Sequence, residues 1–98
     1  MFTRIVKMEF KEEEISSFLA NFETVKTSIR NFPGCLHLKL LRDKKGGAVY
    51  FTYSKWEGEI KLEAYRNSSF FKTVWGKTKE LFLDKPQAWS VTNKVSLA

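Results

Sequence analysis

A single apolar stripe on a long predicted helix limits this chain to a small set of folds. The stripe residues recur at three- and four-residue spacing, which places them on one side of a helix. They are Ile15, Phe18, Leu19, Phe22, Val25, Ile29 and Phe32. Acidic residues at 12–14 complement the positive end of the helix dipole, and Pro33-Gly34 ends the helix. We therefore expect this helix to cover one face of a sheet.

Four segments outside this helix have the pattern of β-strands. Apolar residues alternate along the first of them, with Phe2, Val6, Met8 and Phe10 on one face, and a paired-glycine turn joins the second strand to the third. The predicted strands are Phe2 to Phe10, Cys35 to Arg42, Ala48 to Trp56 and Gln87 to Ser96. A short helix is predicted over 58–67, and Ser68 can cap a further helical stripe that runs to Phe82.

The order of these elements predicts a fold class. It is β-α-β-β-α-β with the second helical region in two pieces, which is the ferredoxin-like α+β arrangement. We expect a four-stranded antiparallel sheet with its helices on one face. The other face should carry Ile5, Leu41 and Tyr50, with Trp56 as a further candidate, among Thr3, Lys7, His37, Thr52 and Thr92. That surface is too apolar to stay bare, so we expect it to meet a second copy in a homodimer.

Length and cysteine content limit the architecture and the compartment. The 98 residues suit one domain, spanning residues 1–98. A single cysteine, Cys35, allows no intramolecular disulfide, which fits a reducing compartment, the cytoplasm. The N-terminal segment lacks an apolar run with a small-residue cleavage site, so we expect no signal peptide. No apolar run is long enough to span a bilayer, so we expect no membrane partner.

The positive charge raises the question of nucleic acid. The net charge is +6, but the 17 Lys and Arg residues are spread along the chain. RNA recognition motifs share the ferredoxin-like order and stack bases on rings of the third strand. The two positions that should carry those rings hold Gly47 and Val49. We therefore expect no nucleic-acid partner.

Polar residues in a known catalytic arrangement are absent from the sequence. His37 is the only histidine, and it lies two residues from Cys35 on the same predicted strand face, too far for a reliable thiolate–imidazolium pair. The three acidic residues at 12–14 are consecutive and point around a helix, so no metal site is expected. No phosphate-binding glycine pattern is present either.

Aromatic residues remain as candidates for a site. Trp56, Tyr65, Phe70, Phe71 and Trp75 cluster around a strand end and a broken helix. Buried indole N–H and phenol O–H groups need hydrogen-bond partners, and a broken helix over a sheet leaves room for a cavity. We expect these residues to form a small-molecule pocket, with the two phenylalanines as its apolar walls.

Several of these residues resemble a known family. Pro33-Gly34-Cys35 after a long helix and Trp56-Glu57 at the end of the third strand resemble the antibiotic biosynthesis monooxygenase (ABM) family, as do Leu62, Ser68 and Phe71. The resemblance covers nearly the whole chain. It implies a dimeric α+β barrel in which two ferredoxin-like subunits pair their sheets, with a pocket between the helices and the sheet of each subunit.

The match to two branches of that family is partial. Quinol-oxidising members show roughly Trp-Glu-x4-Leu-x2-His-x4-His-Phe, and this chain has Tyr65 and Phe70 in place of the two histidines. Haem-degrading members rely on a first-strand Asn, a Trp and a helical His that ligates iron. Trp56 matches the Trp, whereas Val6 and Trp75 stand at the other two positions. Haem degradation by that mechanism is therefore not expected.

The resemblance implies a monooxygenase that acts without a cofactor on a small aromatic phenol or quinol, with O2 as its second substrate. It implies catalytic roles for Trp56 and Tyr65, through the indole N–H and the phenol O–H. Trp75, Phe70, Phe71 and His37 are the implied substrate-binding residues. The alternative is a non-catalytic dimeric protein of the same fold that binds a small apolar ligand.

Overall fold

The structure, a computed structural model, describes all residues from Met1 to Ala98. Seven strands and helices follow one another in the predicted order. They are β1 (Phe2–Glu9), α1 (Ile15–Arg30), β2 (Cys35–Arg42), β3 (Val49–Trp56), α2 (Glu59–Arg66), α3 (Ser69–Lys79) and β4 (Gln87–Val91). Two C-terminal ends were predicted too long, because α3 stops before Phe82 and β4 before Ser96. None of the helices is long and apolar enough to cross a membrane.

The four strands form one antiparallel sheet in the order β2-β3-β1-β4. The long helix α1 connects β1 to β2, and the pair α2–α3 connects β3 to β4. Both connections lie on the same face of the sheet, because both core clusters of the protein combine residues from the helices with residues from this one face. The predicted ferredoxin-like α+β class is confirmed.

Gly34 fixes the path of the chain from α1 into β2. Its φ of +93° lies in the left-handed region, which glycine adopts at no steric cost. A side chain at this position would overlap that of Lys61 in α2. The Gly34 carbonyl accepts a hydrogen bond of 2.9 Å from the Glu57 backbone N–H. The predicted helix stop therefore also holds the end of β3 and the start of α2 in place.

The helices cover the face that carries Tyr50 and Trp56, and the predicted placement of these two residues and of Thr52 on the opposite face was wrong. Tyr50 pairs with Met8 across β3 and β1, and both side chains are buried. Because side chains alternate along a strand, the even-numbered residues of β3 all share this helix-covered face. Thr92, also predicted on the opposite face, lies beyond the end of β4.

A β-bulge at the start of β2 separates Cys35 from His37. The pairing register with β3 shifts between these two residues, and an extra residue in one strand reverses the facing of every later residue in that strand. Cys35 is buried in the core, whereas His37 lies on the opposite face with its ring edge-on to that of Tyr53, at 6.2 Å. The prediction that both side chains share a face was wrong, because no residue type in this segment indicates a bulge.

The face away from the helices is uncovered and mixes apolar side chains with lysines. We call it the open face, and it includes Ile5, Leu41, Phe51, Tyr53 and Trp89. Leu41 and Trp89, on the two edge strands, are 43% and 45% exposed. The predicted partly apolar character of this face is therefore present, although three of its expected members lie on the helix-covered face.

The helix-covered face holds two groups of buried residues. The Trp56 cluster consists of Ile29, Cys35, Trp56, Leu62 and Tyr65. The Phe10 cluster consists of Met8, Phe10, Phe18 and Tyr50. Phe10 also forms an isolated bridge with Phe82, which holds the segment after α3 against the end of β1. The two clusters leave a space between the helices and the sheet.

Candidate functional site

A cavity of about 360 Å³ lies between the helices and the sheet. Its floor comes from β1 and β3, and its walls come from α1, α2 and α3. Residues 86–88 lie at its edge, where the sheet ends at β4. Ala88 pairs with Val6 and so faces the helix side, yet it is exposed. The cavity is therefore accessible along this edge of the sheet.

Four aromatic rings form a continuous wall of this cavity. Trp56 contacts Tyr65 with ring centroids 5.0 Å apart, and Tyr65 meets Phe71 edge-on at 5.0 Å. Phe71 in turn stacks on Trp75 at 5.9 Å with an interplanar angle of 11°. All four residues line the cavity, as the sequence predicted. Together they present flat apolar surfaces of the kind that hold a planar ring.

Two of the residues predicted to bind substrate do not line the cavity. Phe70 packs behind the aromatic wall, where its ring stacks on that of Phe32 at 6.5 Å and also contacts Tyr65. His37 lies on the open face, across the sheet from the cavity. Neighbouring residues of a helix point about 100° apart, so Phe70 and Phe71 cannot both face the same space.

Ser68 orients two residues of the aromatic wall at the break between α2 and α3. Its hydroxyl accepts a hydrogen bond of 3.0 Å from the Phe71 backbone N–H, which caps α3 as predicted. The same hydroxyl donates to the Tyr65 carbonyl at 2.6 Å. The break is therefore a fixed corner, and it sets Tyr65 and Phe71 edge to face.

The indole N–H of Trp56 already has a partner within the protein. It donates to the Ser54 hydroxyl at 3.0 Å, and this hydrogen bond is buried. The Ser54 hydroxyl donates in turn to the Arg4 carbonyl at 3.5 Å. The resemblance implies that this N–H serves a bound molecule, whereas in the structure it is taken by Ser54 and Trp56 presents its ring to the cavity.

The phenol of Tyr65 is held in its neutral form. Burial raises the pKa of Tyr65 far above its ordinary value, and the charge of an ionised Cys35 would raise it further. Burial also raises the pKa of the Cys35 thiol, which donates to the His37 carbonyl at 3.6 Å. Since a neutral phenol is a hydrogen-bond donor and a poor base, Tyr65 can donate to a bound anion but cannot accept a proton.

Two arginines at the cavity were not identified from the sequence. Arg4 lies on β1 and Arg66 is the last residue of α2, and both line the cavity. Burial lowers the pKa of Arg4, and the nearby charge of Arg66 lowers it further, whereas Glu63 opposes both effects. One signal was available, because Arg4 falls between Phe2 and Val6 on the strand face that was predicted to be apolar.

The remaining polar groups of the cavity are hydroxyls and the amide of Gln87. Thr52 and Ser54 lie on its floor in β3, and the Thr78 hydroxyl donates to the Val74 carbonyl at 2.8 Å. No histidine, aspartate or glutamate lines the cavity. No group of three His, Cys, Asp or Glu residues anywhere in the chain is placed to hold a metal ion. Trp75 takes the place where the haem-degrading pattern has its iron ligand, and indole offers iron no ligating lone pair.

The fold is shared with solved structures at low sequence identity. A structure described as an antibiotic biosynthesis monooxygenase has a TM-score of 0.88 at 17% identity, covering 95% of this chain and 98% of its own. A conserved protein from Methanosarcina mazei Go1 also has a TM-score of 0.88 at 17% identity, over 96% and 94%. A protein from Mycobacterium tuberculosis has a TM-score of 0.87 at 15% identity, over 99% and 98%. At these identities the likeness shows the fold alone.

Sequence comparison identifies the family. Among curated proteins, no sequence matches this chain. The sequence profile of the family described as antibiotic biosynthesis monooxygenase, ABM, matches residues 1–75, which is more than half of the chain. This match agrees with the fold shared with the solved structures. The protein therefore belongs to the antibiotic biosynthesis monooxygenase family.

Proposed function

We propose that this protein is a monooxygenase that oxidises a small aromatic phenol or quinol with O2 and needs no bound cofactor. The observation that carries the proposal is the aromatic-walled cavity of about 360 Å³, which lies where the family pocket is expected. Cavities of roughly 300–1,000 Å³ with apolar walls and a few polar groups are typical of small-molecule sites.

The proposed reaction takes all its electrons from the organic substrate. The phenol loses its O–H proton, and the phenolate transfers an electron to O2. The two radicals combine through a new carbon–oxygen bond, and the resulting peroxide anion takes up a proton from water to form a hydroperoxide. Loss of water then breaks the oxygen–oxygen bond and removes the hydrogen from the same carbon, leaving a quinone-type carbonyl. The substrate loses four electrons and O2 gains four, so one oxygen atom enters the product and the other leaves as water.

The residues of the cavity would serve this reaction by holding the phenolate rather than by removing its proton. Because no histidine or carboxylate lines the cavity, the proton passes to water at the open edge beside β4. The neutral Tyr65 phenol would donate to the phenolate oxygen, and the Thr52 hydroxyl on the floor is a second candidate donor. Such donors favour the charged form of the substrate and stabilise it more strongly in a dry cavity than in water.

The absence of a base also favours a second function, in which the protein binds a small aromatic molecule without turning it over. Substrates with an ordinary phenol pKa near 10 would rarely be ionised in this cavity at neutral pH. Only compounds that ionise readily, such as anthrones and electron-poor quinols, would react. The two functions therefore predict the same binding and differ in oxygen consumption.

Oxygen uptake with a panel of quinols and anthrones tests the proposal directly. We expect consumption of one O2 per substrate oxidised, and at least about a tenfold loss of rate in Trp75→Ala, which removes part of the aromatic wall. Trp89→Phe is the matched control, because Trp89 lies on the open face. Binding of the panel without any oxygen uptake would overturn the monooxygenase and support the binding protein.

We propose further that the open face meets a second copy of the chain, as the family resemblance implies. Its apolar centre, including Phe51, Tyr53 and Trp89, has no cover within one chain. A homodimer in sedimentation is expected, and Trp89→Lys should convert it to a monomer because a charge on this face would remain unpaired on burial. Ile60→Lys is the control, since Ile60 is exposed on α2. A wild-type monomer at micromolar concentration would contradict this assignment.

A further inference from the structure

We propose that Arg4 and Arg66 form a head-group site for a carboxylate or phosphate, so that the cavity selects an aromatic acid over a neutral aromatic compound of the same shape. The ring system would occupy the aromatic-walled part of the cavity, and its anionic group would lie between the two guanidinium groups. The family assignment does not specify such a site. The inference deepens the proposed function and rests on it only for the claim that the bound acid is also a substrate.

Arg4 is the central residue of this site because most of its hydrogen-bonding capacity is unused. It donates one side-chain hydrogen bond, from Nη1 to the Ser90 hydroxyl at 3.0 Å. No carboxylate lies within 4.0 Å of it, since the two ion pairs of the protein join Lys26 to Glu23 and Arg66 to Glu63. A guanidinium has five N–H donors, so the others remain free for a bound oxyanion.

Arg66 adds a second guanidinium that is only weakly engaged. Its Nη1 lies 3.4 Å from Oε1 of Glu63, and both side chains are about half exposed. An exposed pair with this long a separation contributes little to stability, so a ligand anion can compete with Glu63 at small cost. Two guanidinium groups and one carboxylate leave a net positive charge at the cavity. A planar anion would make paired N–H···O contacts there, as arginines do with carboxylates and phosphates.

The position of the two arginines suits a ligand with an apolar body and a charged end. The cavity combines them with the four rings of the aromatic wall and with the apolar side chains of Val6, Phe22 and Leu62. A cavity of about 360 Å³ lies within the size range of small-molecule sites. Two fused aromatic rings with one small substituent are small enough for such a space. A purely apolar ligand would leave the partly buried Arg4 without a countercharge.

Calorimetric titration with three matched compounds tests this site without requiring turnover. The compounds are 2-naphthoate, 2-naphthyl phosphate and 2-naphthalenemethanol, which share one ring system and differ in the head group. We expect at least one of the two acids to bind wild-type protein roughly tenfold or more tightly than the alcohol, the range for hydrogen bonds to charged groups. The tighter acid identifies the head group. Equal binding of all three compounds would overturn the proposal.

Variants that each remove one charge test whether the two arginines cause the preference for an acid over the alcohol. Arg4→Gln should reduce the acid-to-alcohol ratio by about tenfold, and Arg66→Gln by a smaller factor because Arg66 is more exposed. Glu63→Gln should raise it by about two- to threefold, since it frees Arg66 and removes a negative charge. Lys72→Gln is the control, because it removes the same charge from the exposed surface of α3. An equal loss of acid binding in Lys72→Gln and Arg4→Gln would assign the effect to net charge and overturn the site.

The same titrations separate this inference from the proposed function. If the protein prefers an acid but shows no oxygen uptake, the head-group site is supported and the proposed monooxygenase activity is contradicted. Oxygen uptake with neutral quinols, together with equal binding of the three naphthalene compounds, would retain the monooxygenase and remove the head-group site.

Discussion

Trp56 and Phe10 are the two largest fully buried side chains of the protein, at 1% and 0% exposure, and they have different surroundings. Phe10 contacts rings on all sides, including Phe18 at 4.1 Å and Phe82 at 5.4 Å. Trp56 has a hydroxyl partner in Ser54 and lines the cavity. The two side chains are equally buried, but only Trp56 lines the cavity that a ligand can occupy.

The two clusters differ in degree, because Phe10 itself lies away from the cavity, whereas Met8 and Phe18 of the same cluster line it. The Phe10 cluster ties β1 and β3 to α1, and the bridge from Phe10 to Phe82 adds the chain after α3. The Trp56 cluster joins the end of β3 to α2 and includes two groups with raised pKa values, Cys35 and Tyr65. Of these two groups, Tyr65 also lines the cavity.

Phe10→Ala should give the largest effect, and it should act on stability alone. Removing a buried phenylalanine costs about 3–5 kcal/mol, because the transfer free energy is lost and a cavity remains. Urea unfolding measures this loss, and calorimetry with 2-naphthoate below the transition measures binding. We expect the dissociation constant of the folded protein to change less than about threefold. A much larger change in affinity would show that the two clusters are coupled.

The next largest effect should come from removing one hydroxyl oxygen beside the Trp56 cluster, and it should exceed the effect of removing one within the Phe10 cluster. Ser54→Ala leaves the buried Trp56 N–H without its acceptor, which costs about 1–3 kcal/mol. Tyr50→Phe is the matched change in the Phe10 cluster, where Tyr50 packs by its ring against Phe10 and Phe18. We expect a cost under about 1 kcal/mol there. Equal costs in urea unfolding would contradict a polar Trp56 cluster.

Alkaline pH should weaken the wild-type protein more than Tyr65→Phe. In the unfolded chain a tyrosine loses its proton near pH 10, whereas the raised pKa of Tyr65 keeps the folded protein protonated there. The folded state then binds more protons than the unfolded state, so stability falls as the pH rises above about 10. The slope is at most about 1.4 kcal/mol per pH unit, and below pH 9 this contribution is fully present.

Tyr65→Phe lacks the phenol that ionises. The difference in unfolding free energy between the wild-type protein and Tyr65→Phe therefore reports the ionisation of Tyr65 without that of the other titrating groups. Urea unfolding at pH 8, 9, 10 and 11 measures the difference. A constant difference across that range would show that the phenol is not held in its neutral form.

Sequence periodicity predicted the fold because each element has a clear local pattern. The one-sided stripe of α1, the stop at Gly34 and the paired-glycine turn each depend on local backbone preferences. The bulge between Cys35 and His37 was missed because no residue type requires it, and it turned Cys35 into the core while His37 lies on the open face as expected. The misplaced Tyr50 and Trp56 reflect the same difficulty, since facing depends on which strands pair.

The aromatic residues that line the cavity were expected from the sequence, whereas its two arginines were not. Aromatic residues close in sequence at a strand end and a helix break were expected to meet, and four of them do. Arg4 and Arg66 are far apart in the chain and come from different elements, so their approach follows from tertiary packing alone. The hydrogen bond from the Trp56 N–H to the Ser54 hydroxyl also depends on strand register and side-chain geometry, which cannot be read from the sequence.

Adjacent phenylalanines give the smallest and most specific test of where the cavity lies. Phe71 lines it and stacks on Trp75, whereas Phe70 packs behind the wall against Phe32. Phe71→Leu should therefore weaken binding of 2-naphthoate by about three- to tenfold through loss of ring contact, and Phe70→Leu by less than about twofold. His37→Ala, on the open face, should match Phe70→Leu. Calorimetry on the three variants measures the affinities. Stronger loss in Phe70→Leu or His37→Ala than in Phe71→Leu would move the binding site away from this cavity, because only residues that line it can contact the bound rings.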